Sequence, residues 1–333
     1  MRRTPSHAGR LSRWERLTFA VVFTLMGTFV AVVTVSAARA HLHGSALPSS
    51  AINGSVPAGP AATPAQAPLA GNGGGTPDVT GRVVPDSVNQ ELTTALSPVL
   101  ARQHGSMAVG VIDLTTGARA VFAGSRSFPA AGVASTDILA ALLLRHQGSV
   151  PLSRGDRDLA RVMIEDSAGA AAVKLWREAG GSAGLTSAND KLHLKHTALG
   201  GSPYRAMAST TVDDQLSLLA DLATARSPLS AASRSYALRL LRHAEPGQAW
   251  GVTEAASAGT ASAVKDGWLP AGPGRLWVTD SIGVIDRKGQ LLLVAVLSDD
   301  QPTQTAGIDQ VEAAAVAAVD AVARPAAQRR QSG

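Results

Sequence analysis

The sequence predicts an α/β (α+β) domain: a mostly antiparallel five-stranded sheet flanked by terminal helices, with an all-helical lobe inserted between its strands. Three observations predict it. Two β-rich runs precede a long helical block, three more follow it, and helical patterns open and close the globular part. The early strands must pair with the late ones, because each half alone would leave open sheet edges.

The 333 residues exceed what one compact domain needs. Residues 1–16 carry Arg2, Arg3, Arg10, Arg13 and Arg16 and read as a basic cytoplasmic tail. Leu17–Ala38 is an uncharged apolar run. At about 1.5 Å per residue it can cross a hydrocarbon core of roughly 30 Å. The arginines before it favour a cytoplasmic N-terminus, so a single-pass protein with its C-terminal domain outside the cell is expected. The alternative is a signal peptide cleaved near "ARA", Ala38–Ala40, which would release the domain. Residues 39–85 read as a linker. Gly44 to Pro77 has no charged residue and is almost wholly Ala, Pro, Gly and Ser, too little apolar surface to offset chain entropy. "GNGGG", Gly71–Gly75, has no strand before it and so is not a phosphate loop.

The formal net charge of +5 sits in the ends: Arg324, Arg329 and Arg330 add to the basic N-terminus, and the part between is net negative. No nucleic-acid partner is expected from that distribution. The absence of cysteine excludes disulfides, thiolate metal sites and a thiol nucleophile.

Residues 86–323 are the globular part. "VNQELTTALSPVLARQ" has apolar residues at helical spacing. Met107–Leu114 and Arg119–Phe122 flank "TTGA" as a hairpin. Helical patterns run from Thr136 to about His243, giving a lobe over about 136–247. The late strands are "ASAVKDGW", "RLWVTDSIGVID" and "GQLLLVAVLSD", the last two joined at Arg287–Gly289. Ile308–Val322 is a closing helix, and 324–333 a disordered tail. A cleft between sheet and lobe is the default ligand site.

Candidate chemistry is sparse from spacing alone. His193 and His196 lie near Asp190 but lack a distant partner, so no metal site is expected, and no cofactor. "GGSAG", Gly180–Gly184, follows a helical pattern rather than a strand, so Ser182 is read as part of an inter-helix loop and not a nucleophile elbow. Glu165 and Asp166 are adjacent on a helix and point different ways.

Several strings resemble the penicillin-recognising serine hydrolases, the class A β-lactamase-like and penicillin-binding-protein-like branch found in exported actinobacterial proteins. They are "FPAAGVASTDILAALLL", "ARVMIEDSAGAAAVKLW", "STTVDDQLSLLADL", "WGVTEAA" with "VKDGWLP", and "WVTDSIGVI" with "LLLVAVLS". The resemblance covers about Val88 to Val322 and implies a β-lactamase/transpeptidase-like fold. It also implies three motifs in the cleft, each degenerate here. Ser-x-x-Lys at the head of the buried helix is replaced by Gly132 and Ser135. Ser-Asp-Asn reads Ser167-Ala168-Gly169. Lys-Thr/Ser-Gly reads Lys265-Asp266-Gly267, where Asp266 would oppose an anionic substrate if it faced the cleft. The loop Lys195–Ser209, which supplies a deacylating glutamate in the family, has no Asp or Glu.

Losing the nucleophile of a serine hydrolase costs on the order of a million-fold in turnover. The leading expectation is therefore a non-catalytic, membrane-tethered relative. Its cleft, with Ser167, Lys265, Asp266 and Gly267 as candidate residues, would bind a peptidoglycan-related or β-lactam-like ligand or an envelope protein. The alternative is an active hydrolase with a rearranged site, Ser167 the nucleophile and Lys265 its base, Ser135 being a weaker candidate. A third reading is a docking module whose cleft is unused.

Overall fold

Alternating branched residues build the centre of the sheet. On β1 (Ser106–Asp113), Val109 and Val111 lie opposite Val296 and Val294 of β8 (Gln290–Gln301), while Ala108 and Ile112 lie opposite Leu297 and Leu293. Successive side chains point to opposite faces, so the two sets serve two separate cores. The computed structural model that shows this describes residues 86–148, 150–199, 208–271, 274 and 276–323. The basic tail, the apolar run Leu17–Ala38, the linker and the C-terminal tail lie outside these residues. Among the described residues no helix is long and apolar enough to cross a membrane.

The five-stranded sheet has the order β2-β1-β8-β7-β6, antiparallel throughout, with β2 Arg119–Phe122, β7 Leu276–Arg287 and β6 Ala263–Ala271. The early hairpin thus pairs with the late strands, as the edge argument requires. One face is covered by α1 (Asp86–Leu100) and α8 (Gln304–Val322). Val88, Leu92 and Leu96 of α1 recur every four residues and are buried with Val311, Ala315 and Val319 of α8 against Val109, Val294 and Val296. Burying each leucine contributes on the order of 1.5–3 kcal/mol.

The other face carries the helical lobe: α2 (Ala134–His146), α3 (Arg154–Glu165), α4 (Gly169–Glu178), α5 (Gly181–Lys191), α6 (Val212–Ala223) and α7 (Ala231–Leu241). Helix α2 is buried from Ala134 to Leu143, which accounts for its mostly apolar or small sequence; Asp137 is the buried exception. Ser153, Thr211, Ser230 and Thr303 each accept a backbone N–H at a helix start.

Two features depart from the sequence reading. A second, three-stranded sheet joins β3 (Phe128–Pro129), β5 (Ala208–Thr210) and β4 (Ala198–Leu199). Strands this short carry no periodicity to detect. Gly180–Gly184, expected as a loop, instead opens α5: Gly180 turns the chain at φ 99° and Ser182 lies in the first helical turn. Burial of Leu185, Ala188 and Leu192 overrides the helix penalty of the glycines, about 1 kcal/mol each.

Candidate active site

Strand β6 sorts the third motif between two faces. Ala263 belongs to the lobe-side core, whereas Val264 and Trp268 belong to the core under α1 and α8. Lys265 follows Ala263 by two and faces the lobe. Asp266 faces the other way. Its carboxylate accepts the Trp250 N–H at 2.7 Å and the Ser281 hydroxyl at 2.6 Å. Asp266, expected with Lys265 in the cleft, therefore does not line it, because neighbouring strand residues cannot share a face.

Lys265 is 1% exposed. Its Nζ donates to Ser167 Oγ at 2.6 Å and to the Asp266 carbonyl at 2.8 Å. Ser167 Oγ in turn donates to Gln248 Oε1 at 2.9 Å. Burial pulls the Lys265 amine down from its usual range to about 8, and the negative charge of Asp266 acts against that shift. Burial raises the carboxyl of Asp266, while its two donors and Lys265 oppose the rise and Glu312 of α8 adds to it.

Ser167 stands between α3 and α4 with φ 53°, a left-handed backbone uncommon for a residue other than glycine. Such strain concentrates at sites where surrounding structure dictates a side chain's direction. Ala168 donates back to Val162, closing the turn, and heads α4 without a side-chain cap; Gly169 is the first residue of that helix. Two ties bring Gln248 to the serine. The Glu245 N–H donates to the Glu165 carbonyl at 3.0 Å, two residues before Ser167. Trp250 is held by Asp266 two residues after Gln248. Neither tie had a signal in the sequence, so Gln248 was missed.

The head of α2 is closed. A Cβ built on Gly132 would lie 2.5 Å from the Asp266 carbonyl oxygen and 2.9 Å from Gly267 Cα. A Cβ on Gly267 would lie 2.0 Å from Gly132 N. Backbone meets backbone there, which leaves no room for a side chain at position 132. Asp280, opposite Gly267 on β7, holds this contact: its buried carboxylate accepts the Ala131 N–H at 3.0 Å and the Ser298 N–H at 3.3 Å. Burial pushes Asp280 up to about 8 in spite of those donors. Ser135, in the first turn of α2, is 8% exposed.

The loop opening at Lys195 is anchored by Asp214, which accepts from the backbone of Lys195 and His196 and from Thr197 Oγ1. His196 Nδ1 lies 3.8 Å from the same carboxylate. His193 adopts a left-handed backbone in an exposed turn. Among the described residues no cluster of three or more His, Asp or Glu is placed to hold a metal.

A five-stranded antiparallel sheet flanked by terminal helices, with a helical lobe inserted between its strands, is the β-lactamase/penicillin-binding-protein fold. Solved structures agree. PBP-A is similar with a TM-score of 0.60 at 18% identity over 71% of this chain and 95% of its own. An ancestral class A β-lactamase matches at TM-score 0.57 and 23% identity, over 69% of this chain and 99% of that one. A class A β-lactamase from Bacteroides cellulosilyticus matches at TM-score 0.61 and 14% identity, over 70% and 98%. No family model and no curated protein matches the chain.

Proposed function

We propose that this domain is a serine hydrolase of the β-lactamase fold with a rearranged site, in which Ser167 is the nucleophile and Lys265 its base. The observation that carries the proposal is the 2.6 Å contact between Lys265 Nζ and a serine held in a strained backbone. A buried amine with a lowered pKa, hydrogen-bonded to a hydroxyl that a third group orients, has the arrangement of an activated nucleophile. Lys265 donates in the resting form, so activation begins with loss of one proton from its ammonium. Neutral Lys265 then takes the Ser167 proton as Oγ attacks a carbonyl carbon. The ammonium returns that proton to the leaving group, and water cleaves the resulting ester. A PBP-A variant of this fold forms an acyl-enzyme with penicillin G, which makes acyl transfer the reaction class to test first.

We place this chemistry outside the cell, on a domain held to the membrane by Leu17–Ala38. The test treats the full chain with a fluorophosphonate and with a fluorescent penicillin, then maps any adduct by mass spectrometry. Label on the peptide bearing Ser167, lost in Ser167→Ala, is the expected result. Labelling that survives that substitution would overturn the assignment.

A second reading is favoured by the closed contact of Gly132 and Gly267: a non-catalytic relative that binds a cell-wall-related ligand or an envelope partner. Reversible binding of a peptidoglycan fragment, with no adduct at any pH, is its signature.

A further inference from the structure

We propose that Asp266 is a positioning residue for Ser167: through Trp250 it sets Gln248 against the serine hydroxyl, and across the sheet it places a negative charge behind Lys265. The proposal rests on the reading of Ser167 and Lys265 as a reactive pair.

Asp266 is wholly buried, yet it is the residue through which three parts of the site meet. Its carbonyl accepts from Lys265 Nζ at 2.8 Å, fixing the amine between that oxygen and Ser167. The same carbonyl lies against Gly132. Its carboxylate accepts from Trp250, whose neighbour but one, Gln248, accepts from Ser167. Ser281 both donates to Asp266 and accepts the Val252 N–H at 2.9 Å, so the carboxylate also secures the turn that follows Trp250. A buried carboxylate without such a task would be costly, and an apolar residue would fill the place at less expense.

Asp266 is the charge acting on Lys265, Glu312 reaches Asp266 from α8, and Asp280 lies opposite Gly267 on β7 with its carboxylate bound to Ala131 and Ser298. Removing the Asp266 charge therefore lowers the affinity of Lys265 for its proton. Asp266→Asn keeps an acceptor for Trp250 and removes the charge; Asp266→Ala removes both.

The experiment titrates Lys265 by NMR in full chain carrying isotope-labelled lysine, its signal assigned with Lys265→Arg. The chain has only five lysines, which makes the assignment tractable. Fluorophosphonate labelling of Ser167 is followed over the same pH range. In Asp266→Asn the Lys265 midpoint falls by roughly one unit or more, and the labelling profile moves with it. Asp266→Ala shows the same shift and, in addition, at least about a ten-fold lower labelling rate on the alkaline plateau, since Gln248 is released. Ser281→Ala, a milder change, moves the Lys265 midpoint in the same direction and serves if the Asp266 variants do not fold. An unmoved Lys265 midpoint in these variants overturns the proposal. A moved midpoint in a chain whose Ser167 takes no label supports the hold of Asp266 on Lys265 and overturns the reactive pair instead.

Discussion

Gly132 and Gly267 meet backbone to backbone, so closely that a Cβ on Gly267 would fall 2.0 Å from Gly132 N. The head of α2 therefore has no room for a side chain at position 132. The space a side chain would occupy there is filled by strand β6.

Building a Ser-x-x-Lys pair at the head of α2 should consequently fail. Gly132→Ser with Ser135→Lys supplies both reactive groups, but the new Cβ strikes the Asp266 carbonyl, a backbone atom that cannot swing away. Overpacking of this kind costs about 1–3 kcal/mol or more. Urea unfolding should show that loss for Gly132→Ala alone, and the double variant should hydrolyse a chromogenic cephalosporin no faster than the parent. Rapid turnover would mean that the strand yields readily.

Reactivity at Ser167 should rise with pH through about 8, following deprotonation of Lys265. The lysine's pKa is lowered by burial, so its neutral, proton-accepting form gains ground as pH climbs past that value. Lys265→Met should lower labelling of Ser167 by about a hundred-fold or more and flatten the profile. A Lys265→Met variant that keeps the parent's alkaline rise would remove the lysine from the chemistry.

Gln248→Glu tests the third member of the contact. A carboxylate beside Ser167 and near the Lys265 ammonium favours the charged amine, so the labelling profile should shift to higher pH by roughly one unit. Gln248→Ala, which adds no charge, should lower the rate without moving the midpoint. The two outcomes separate orientation from electrostatics.

Asp137 offers a stability test away from Ser167. It is 1% exposed, receives the Gln215 amide at 3.3 Å on each oxygen, and is pushed up to about 7 by burial, with Asp214 adding to the rise. A carboxyl raised in the folded state contributes its full stability below the ordinary carboxylate range. That contribution fades as pH climbs through about 7. Asp137→Asn does not titrate. Relative to the parent it should gain at least about 1 kcal/mol between mildly acidic and mildly alkaline buffer, each pKa unit being worth about 1.4 kcal/mol. Parallel urea midpoints for the two chains across that range would refute the burial argument.

The sequence alone determined the order of the main elements, the five strands of the large sheet with their antiparallel closure, and which residues stand at the head of the buried helix and between α3 and α4. These are local facts: period-2 runs such as Val109–Ile112, helical spacing in Val88–Leu96, and the identities of Gly132, Ala168 and Gly169 can be read where they stand. The apposition of Ser167 and Lys265 was legible only through the resemblance, since 98 residues separate them. Tertiary structure decided the rest. It turned Asp266 away from the cleft, brought Gln248 to the serine, closed Gly132 against Gly267 and made a helix of the glycines near Ser182. Each depends on which face of a strand meets which distant segment, and on backbone distances between elements. No spacing along the chain encodes those quantities, because they are fixed only when the two cores pack.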